Sequence, residues 1–231
     1  MMAGRMGNIR RIKTMSLPKP YYQDSAVTLY HGDCREIVPL LGRFDLLLTD
    51  PPYGIGADNR KRILSRGKLA AAKDYGETNW DSAPPDAGLI EVIRSACEKQ
   101  IIWGGNYFEL PPCKGPLVWD KENGGNDFAD GELAWNNLGT ALRIKRHMWN
   151  GMLRKGGEDR EHPTQKPLDV IAWCLSLAGD AALTVLDPFA GSGTTGRACK
   201  DLGRKCTMIE REERYCEIAA RRMGQEVLNL V

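Results

Sequence analysis

A glycine-rich loop between a predicted strand and a predicted helix constrains the fold of this chain more than any other segment. Residues 183–186 form an apolar run, and the loop that follows, residues 187–196, has the sequence DPFAGSGTTG. A helical pattern then covers residues 194–202, and residues 205–209 have the composition of another strand. A strand, a helix and a second strand within about 30 residues are typical of a βαβ unit. We therefore expect a sheet with parallel strands.

The rest of the chain repeats this alternation of strands and helices. Residues 44–49 (FDLLLT) form an almost unbroken apolar run, as in a strand buried on both faces. Residues 117–119 and 132–135 flank an Asn-Gly-Gly segment and predict an antiparallel hairpin. The other predicted strands are 27–31 and 100–103, and the other predicted helices are 35–41, 86–99, 167–178 and 212–223. The expected fold class is therefore α/β, with a mostly parallel sheet and one antiparallel hairpin.

The glycines of the loop allow close approach of the backbone to a ligand. Gly191, Gly193 and Gly196 match the pattern G-x-G-x-x-G, and Glu210 ends the next predicted strand about 20 residues later. An acidic side chain at that place can accept hydrogen bonds from ribose hydroxyls. This pattern alone leaves NAD binding open. A G-x-x-x-x-G-K-(S/T) phosphate loop is excluded because the lysine is missing.

A second motif, Asp50-Pro51-Pro52-Tyr53, follows the apolar strand at residues 44–49. Open α/β sheets bind ligands at the carboxyl ends of their strands, so this motif is expected at the ligand crevice. Two consecutive prolines lack N–H groups and hold an extended path, which leaves the Asp50 carboxylate and a neighbouring carbonyl available as acceptors. Such a pair of acceptors suits an amino group, and the Tyr53 ring suits a stacked base.

Together the two motifs resemble those of the S-adenosylmethionine-dependent DNA amino-methyltransferases. The family's catalytic tetrapeptide (D/N/S)-P-P-(Y/F/W) matches residues 50–53, and its cofactor motif (D/E/N)-P-F-x-G-x-G matches residues 187–193. The tetrapeptide comes first, which is the circularly permuted motif order of the β group. Residues 162–167 (HPTQKP) look like the family's segment upstream of the cofactor loop. The resemblance covers most of residues 27–223 and implies a Rossmann-like class I methyltransferase fold.

The resemblance also implies how the chain holds its cofactor, S-adenosylmethionine. The glycine loop would hold the methionine part, Glu210 the ribose, and Asp33 with the Cys34 N–H the adenine. Residues 164–166 would close over the methionine end. The cofactor-binding residues expected in this way are Asp33, Cys34, Asp50, Thr164, Gln165, Lys166, Asp187, Pro188, Phe189, Gly191, Gly193, Thr194, Thr195 and Glu210.

The implied reaction is methyl transfer to the exocyclic amine of a base that is flipped out of double-stranded DNA. The catalytic residues would be Asp50, Pro51, Pro52 and Tyr53. Asp50 and the Pro51 carbonyl would accept the amine hydrogens, and Tyr53 would stack on the base. In the family, Asp at the first tetrapeptide position is commoner in adenine-N6 enzymes, whereas Ser is usual in cytosine-N4 enzymes. Adenine is therefore the expected target.

Basic residues are concentrated in three runs, although the formal net charge of the whole chain is only +2. Residues 1–20 contain no acidic residue and predict a basic tail ahead of a single methyltransferase domain, residues 21–231. The other two runs fall in short insertions near residues 56–80 and 138–161, which are expected to be loops that contact DNA phosphates. A solvated surface is the alternative for each run. The residues expected to contact DNA are Arg60, Lys61, Arg62, Arg66, Lys68, Arg143, Lys145 and Arg146.

Cysteine usage and hydropathy predict a cytoplasmic protein without a membrane anchor. The seven cysteines form no C-x-x-C pair, which argues against a disulfide framework and a zinc site, so no metal is expected. The longest nearly apolar stretch, residues 170–178, is too short to span a membrane, and no export leader is recognisable. The resemblance implies a bacterial or phage-encoded enzyme and leaves a homodimer open.

Three other functions remain open at this point. A cytosine-N4 DNA methyltransferase would share both motifs. An NAD-dependent oxidoreductase would share the glycine loop but has no need of the tetrapeptide or the basic runs. A catalytically silent nucleic-acid-binding module would share the fold, but the chain has every catalytic residue that the family resemblance requires, which argues against this alternative.

Overall fold

The computed structural model describes residues 16–55, 83–124, 129–148 and 165–225. In these ranges the strands are β1 Tyr22–Gln23, β2 Val27–His31, β3 Phe44–Thr49, β4 Cys97–Trp103, β5 Leu117–Asp120, β6 Gly131–Asn136, β7 Arg143–Arg146, β8 Thr184–Asp187 and β9 Lys205–Glu210. The α-helices are α1 Cys34–Ile37, α2 Ala87–Ser95, α3 Leu168–Ala178, α4 Thr194–Asp201 and α5 Glu213–Gly224. No helix in the described part of the chain is long and apolar enough to cross a membrane.

These strands form one sheet in the order β1-β2-β9-β8-β3-β4-β6-β5-β7. The neighbours from β2 to β4 in this order are all parallel. The pairs β1–β2, β4–β6 and β5–β6 are antiparallel, and β7 pairs in parallel with β5. The sheet is therefore mixed and mostly parallel, which confirms the predicted α/β class.

Helices cover both faces of the parallel strands, and β3 is accordingly apolar on both sides. Leu46 and Leu48 pack in one cluster with residues of α3, α4 and α5, whereas Leu47 packs in a second cluster with residues of α1 and α2. All three leucines are fully buried, as the run at residues 44–49 predicts. Burying one such side chain stabilises the fold by about 1.5–3 kcal/mol.

Several element boundaries agree with the sequence, and two differ for identifiable reasons. Strands β2 and β3 have the predicted bounds, and β5 pairs with β6 as a hairpin. The helix predicted at residues 86–99 ends at Ser95, because the chain from Cys97 onward pairs with β3. The helix predicted at residues 35–41 is divided into α1 and a 3-10 turn, Val38–Leu40, since Pro39 has no N–H for a helical hydrogen bond.

The prediction that Arg143, Lys145 and Arg146 lie in a loop is wrong. They lie in β7, which pairs with β5 at the edge of the sheet. The sequence did not indicate this strand, because three of its four side chains are basic and leave no apolar alternation. Strand β1 is too short to leave a pattern and is also unpredicted. The predicted insertion near residues 56–80 and residues 1–15 of the predicted tail lie outside the described residues.

Candidate active site

The carboxyl ends of β2, β3, β8 and β9 meet at one edge of the sheet and line a cavity of about 320 Å³. Each strand end contributes an acidic residue: Asp33, Asp50, Asp187 and Glu210. This convergence follows from topology, because neighbouring parallel strands end at the same edge. The predicted cofactor-binding residues that line the cavity are Asp33, Cys34, Asp50, Gln165, Lys166, Asp187, Pro188, Phe189, Gly191, Thr194, Thr195 and Glu210. Gly193 is not part of this lining, and Thr164 lies outside the described residues.

The loop between β8 and α4 turns tightly because two of its glycines have a left-handed backbone. Gly191 has a φ of 50° and Gly193 has a φ of 80°, and residues with a side chain rarely adopt these values. A Cβ atom on Gly196 would lie 2.5 Å from the sulfur of Met208, so the absence of a side chain lets α4 pack closely on β9. The three glycines therefore shape the loop and bring its backbone to the cavity.

Glu210 holds this loop from the end of β9. Its Oε2 accepts a hydrogen bond of 2.8 Å from the Gly191 N–H, and its Oε1 accepts one of 2.8 Å from the Glu212 N–H. Burial raises the pKa of Glu210, and these N–H donors oppose the rise. Each carboxylate oxygen keeps a further lone pair, so Glu210 can hold the loop and still accept hydrogen bonds from a ligand.

The other acidic residues of the cavity wall differ in their surroundings. Asp187 is 3% exposed, and its Oδ1 accepts a 2.8 Å hydrogen bond from the Thr49 hydroxyl, which joins the ends of β8 and β3. Burial raises the pKa of Asp187 to about 6. Asp33 is half-buried and caps α1 by accepting a 2.8 Å hydrogen bond from the Arg35 N–H. Burial raises the pKa of the Cys34 thiol to about 12, so this thiol stays neutral.

The catalytic tetrapeptide predicted from the sequence leaves β3 beside the cavity. The Tyr53 hydroxyl donates a hydrogen bond to Asp50 Oδ1 across 2.5 Å, and the Lys166 ammonium donates one to Asp50 Oδ2 across 2.6 Å. Both oxygens of this carboxylate are fixed in place, and each retains a lone pair for another donor. Burial raises the pKa of Asp50, and the charge of Lys166 opposes this rise. Gly104 makes room for the tyrosine, since a Cβ atom there would collide with the Tyr53 ring.

Tyr53 is stacked on a second tyrosine that the sequence did not indicate. The ring centroids of Tyr53 and Tyr107 are 4.8 Å apart, with an interplanar angle of 12°. Phe108 contacts the same ring edge-on, with centroids 6.3 Å apart. Tyr107 belongs to the 3-10 turn after β4 and is 46% exposed, so the aromatic cluster reaches the protein surface.

Lys166 links the tetrapeptide to the β5–β6 hairpin. Its Nζ lies 2.8 Å from Glu132 Oε2, and the Nζ of Lys121 lies 2.5 Å from Glu132 Oε1. Burial lowers the pKa of Lys166, but Asp50 and Glu132 raise it, and the net shift is upward. Burial raises the pKa of Glu132, and the two lysines bring it down to about 2. Glu132 and Lys121 were not predicted as site residues, because nothing in a hairpin sequence distinguishes them from surface charges.

The predicted DNA contacts are only partly described. Arg143 and Arg146 are exposed on β7, with the Arg146 Nε 3.4 Å from an Asp120 carboxylate oxygen. Lys145 forms an ion pair of 2.8 Å with Asp169 on α3. The contacts predicted in the first insertion lie outside the described residues: Arg60, Lys61, Arg62, Arg66 and Lys68.

Known proteins are similar to this chain in sequence and in fold. The N6/N4 methyltransferase family model, described as DNA methylase, matches residues 118–221. The chain is 42% identical to the type II methyltransferase M2.DpnII of Streptococcus pneumoniae, covering 91% of this chain and 94% of that protein. Two solved structures are similar in fold. The PvuII DNA methyltransferase (cytosine-N4-specific) has a TM-score of 0.58 and 15% identity, covering 92% of this chain and 90% of that one. The complex of M1.HpyAVI with S-adenosylmethionine has a TM-score of 0.54 and 22% identity, covering 86% of this chain and 100% of that one.

The sheet order and the similarity to these solved structures show a Rossmann-like class I methyltransferase fold. The chain belongs to the S-adenosylmethionine-dependent DNA amino-methyltransferases, which removes the NAD-dependent oxidoreductase as an alternative. The cavity suits S-adenosylmethionine, because its acidic lining matches a ligand that carries a positive sulfonium, an ammonium group and ribose hydroxyls. Among the described residues, no cluster of three or more His, Cys, Asp or Glu side chains is arranged to hold a metal ion.

Proposed function

We propose that this DNA methyltransferase modifies the N6 amine of adenine, on a base flipped out of double-stranded DNA. The observation that carries the proposal is the fixed carboxylate of Asp50, which Tyr53 and Lys166 hold at the wall of the cavity. A carboxylate fixed in this way is a ready acceptor for an amine that enters beside it. The catalytic residues proposed are Asp50, Pro51, Pro52 and Tyr53.

We assign the cofactor to the cavity at the strand ends. The glycine loop would hold the methionine part, Glu210 would accept hydrogen bonds from the ribose hydroxyls, and Asp33 would accept one from the adenine amine. The lone pairs that remain on Asp33 and Glu210 support this assignment. When bound, S-adenosylmethionine supplies a methyl group on a positively charged sulfur, which makes the methyl carbon electrophilic.

Asp50 and the Pro51 carbonyl would activate the target amine. An exocyclic amine is a weak nucleophile, because its lone pair is delocalised into the ring of the base. Two acceptors that take both amine hydrogens favour a tetrahedral nitrogen whose lone pair is localised and available. The same acceptors stabilise the positive charge that develops on this nitrogen during transfer. Positioning and electrostatics would thus supply the rate.

Tyr53 would hold the flipped base by stacking. Taking a base out of the duplex requires a few kcal/mol, and stacking on an aromatic side chain returns about 1–3 kcal/mol. Tyr107 is stacked on one face of the Tyr53 ring, so the base would stack on the other face.

An aspartate at the first tetrapeptide position favours adenine over cytosine as the target. The preference rests on the family pattern, in which cytosine-N4 enzymes usually have serine there. The fold alone does not discriminate, because the PvuII enzyme is cytosine-N4-specific and has a similar fold.

We also propose that basic residues outside the cavity bind the DNA phosphates. Arg143 and Arg146 are exposed on an edge strand, as such contacts require. The basic residues from Arg60 to Lys68 remain a prediction from the sequence, and so does a homodimer.

The proposal is tested by identifying the methylated nucleoside. Unmethylated duplex DNA is incubated with the protein and methyl-labelled S-adenosylmethionine and then digested to nucleosides. We expect the label in N6-methyl-deoxyadenosine. Label in N4-methylcytosine would reject adenine as the target, and unlabelled DNA of varied sequence would reject the transfer reaction.

A further inference from the structure

Four charged side chains of alternating sign run from the hairpin to the tetrapeptide. Lys121 contacts Glu132 at 2.5 Å, Glu132 contacts Lys166 at 2.8 Å, and Lys166 contacts Asp50 at 2.6 Å. The exposed fractions of these side chains range from 5% for Lys166 to 24% for Glu132, so little of the row faces solvent. Its formal charges cancel when all four groups are ionised.

The groups around the Lys166 ammonium restrict its position. An ammonium has three N–H donors, and three oxygens lie within reach: Asp50 Oδ2 at 2.6 Å, Glu132 Oε2 at 2.8 Å and the Tyr53 hydroxyl at 3.3 Å. The Nζ also lies 5.3 Å from the ring centroid of Trp103, within range of a cation–π contact. Of the three residues that supply these oxygens, Asp50 and Tyr53 belong to the predicted catalytic tetrapeptide, whereas Glu132 belongs to the hairpin.

Glu132 is itself fixed from the opposite side. Lys121 holds its second oxygen and packs over the Trp119 ring, with the Nζ 4.8 Å from the ring centroid. Glu132 lies on β6, where it pairs with Trp119 of β5, and Lys121 directly follows the end of β5. The hairpin therefore presents a carboxylate of defined position to Lys166.

We infer that Glu132 is a positioning residue for Asp50: it fixes Lys166, and Lys166 holds the Asp50 carboxylate in the orientation that receives the target amine. The inference rests on the proposed role of Asp50. Without the charge of Glu132, a buried ammonium would be shared between Asp50 and whatever water could reach it, and the carboxylate would lose a fixed partner. Removing one partner of a buried ion pair also destabilises a fold, so the effect on the reaction is measured on variants that are shown to be folded.

The first test is Glu132→Gln, which keeps the size of the side chain and removes its charge. We expect the single-turnover rate at saturating DNA and cofactor to fall by at least about tenfold, with the Kd for S-adenosylmethionine changed by less than about threefold. The matched control is Glu91→Gln, which removes a glutamate that pairs with Arg94 on the exposed face of α2. A rate for Glu132→Gln equal to that of the control would overturn the inference.

A double-mutant cycle tests whether Glu132 acts through Lys166. If it does, Glu132→Gln has no further effect on the rate in a Lys166→Met background. Independent, multiplicative losses would contradict the proposed route. Thermal unfolding and cofactor binding are measured for each variant. If Glu132→Gln fails to fold, Lys121→Met serves instead, because it frees the second Glu132 oxygen and should lower the rate in the same direction; an unchanged rate there would overturn the inference.

A binding measurement separates this inference from catalysis itself. The DNA affinity of the wild type and of Glu132→Gln is measured with S-adenosylhomocysteine present. The DNA is an unmethylated duplex of the sequence that the wild type methylates, with either adenine or purine at the target position. Purine lacks the exocyclic amine. The two duplexes also differ in the energy of unpairing the target base, but this difference is the same for both proteins. It therefore cancels when the adenine-to-purine affinity ratio of Glu132→Gln is compared with that of the wild type. We expect this ratio to fall by at least about threefold in Glu132→Gln, and an unchanged ratio would overturn the inference. A wild type that methylates no adenine would instead reject the proposed function.

Discussion

Lys166 donates a hydrogen bond of 2.6 Å to Asp50, although the two residues are 116 positions apart in the chain. Lys166 comes from the segment just before α3, and Asp50 comes directly after β3. Both residues line the cavity at the strand ends. The residue that the family resemblance places over the cofactor thus also holds the residue proposed to receive the amine.

Replacing Glu210 with alanine is expected to weaken cofactor binding. The change removes the charged acceptor proposed for the ribose and also releases the Gly191 and Glu212 N–H groups. Loss of hydrogen bonds to a charged group typically amounts to about 1.5–3 kcal/mol, or about a tenfold to hundredfold rise in Kd. Calorimetric titration with S-adenosylmethionine measures this change. Glu217→Ala, on the exposed side of α5, is the control, and equal affinities for the two variants would remove Glu210 from the cofactor site.

Two substitutions of Tyr53 separate its hydroxyl from its ring. Tyr53→Phe removes the hydrogen bond to Asp50 and keeps the stacking surface, so we expect the transfer rate to fall by roughly three- to tenfold. Tyr53→Ala also removes the stacking, which should weaken the complex with a flipped base by about 1–3 kcal/mol. The comparison uses single-turnover rates and DNA affinities. Identical behaviour of the two variants would show that the ring has no role of its own.

Asp187 should make the stability of the fold depend on pH. Its pKa is raised from 3.8 to about 6 by burial, so the folded state binds the proton more tightly than the unfolded state. The resulting stabilisation is complete below pH 4 and is lost as the pH rises through about 6, with a size of up to about 3 kcal/mol. Urea unfolding of the wild type and Asp187→Asn across this range measures it. The wild type should lose stability relative to the variant as the pH rises, and parallel curves would refute the prediction.

The basic residues should determine how DNA binding depends on salt. Replacing Arg60, Lys61 and Arg62 by alanine should weaken binding to all duplexes and flatten the plot of log affinity against log salt by up to about one unit per lost contact. Cofactor affinity should not change. Arg143→Ala with Arg146→Ala tests the exposed cations of β7 in the same way. A wild-type slope in either set would show that those residues are only solvated surface.

The parts of the fold predicted from the sequence are those governed by neighbours along the chain. Leu46, Leu47 and Leu48 reveal a strand buried on both faces, and the glycine loop reveals the turn from β8 into α4. The tetrapeptide and Glu210 were expected at the ligand crevice because parallel strands end at the same edge.

The parts that were missed depend on contacts between distant segments. Glu132 looks like a surface charge until β6 places it beside Lys166. Tyr107 becomes part of the aromatic cluster only because the turn after β4 returns it to Tyr53. Strand β7 exists because β5 offers it a partner, and its own residues give no apolar pattern.

The role of Asp50 is tested by the amount of N6-methyladenine formed in a single turnover by the wild type, Asp50→Ala and the control Asp180→Ala. Asp180 is exposed in the turn before β8, far along the chain from the tetrapeptide. Asp50→Ala should form the product at least about 100-fold more slowly, with a much smaller change in the Kd for S-adenosylmethionine, because the lost hydrogen bond acts mainly in the transition state. Asp180→Ala should match the wild type. An Asp50→Ala rate within about threefold of the wild type would show that this carboxylate does not activate the amine.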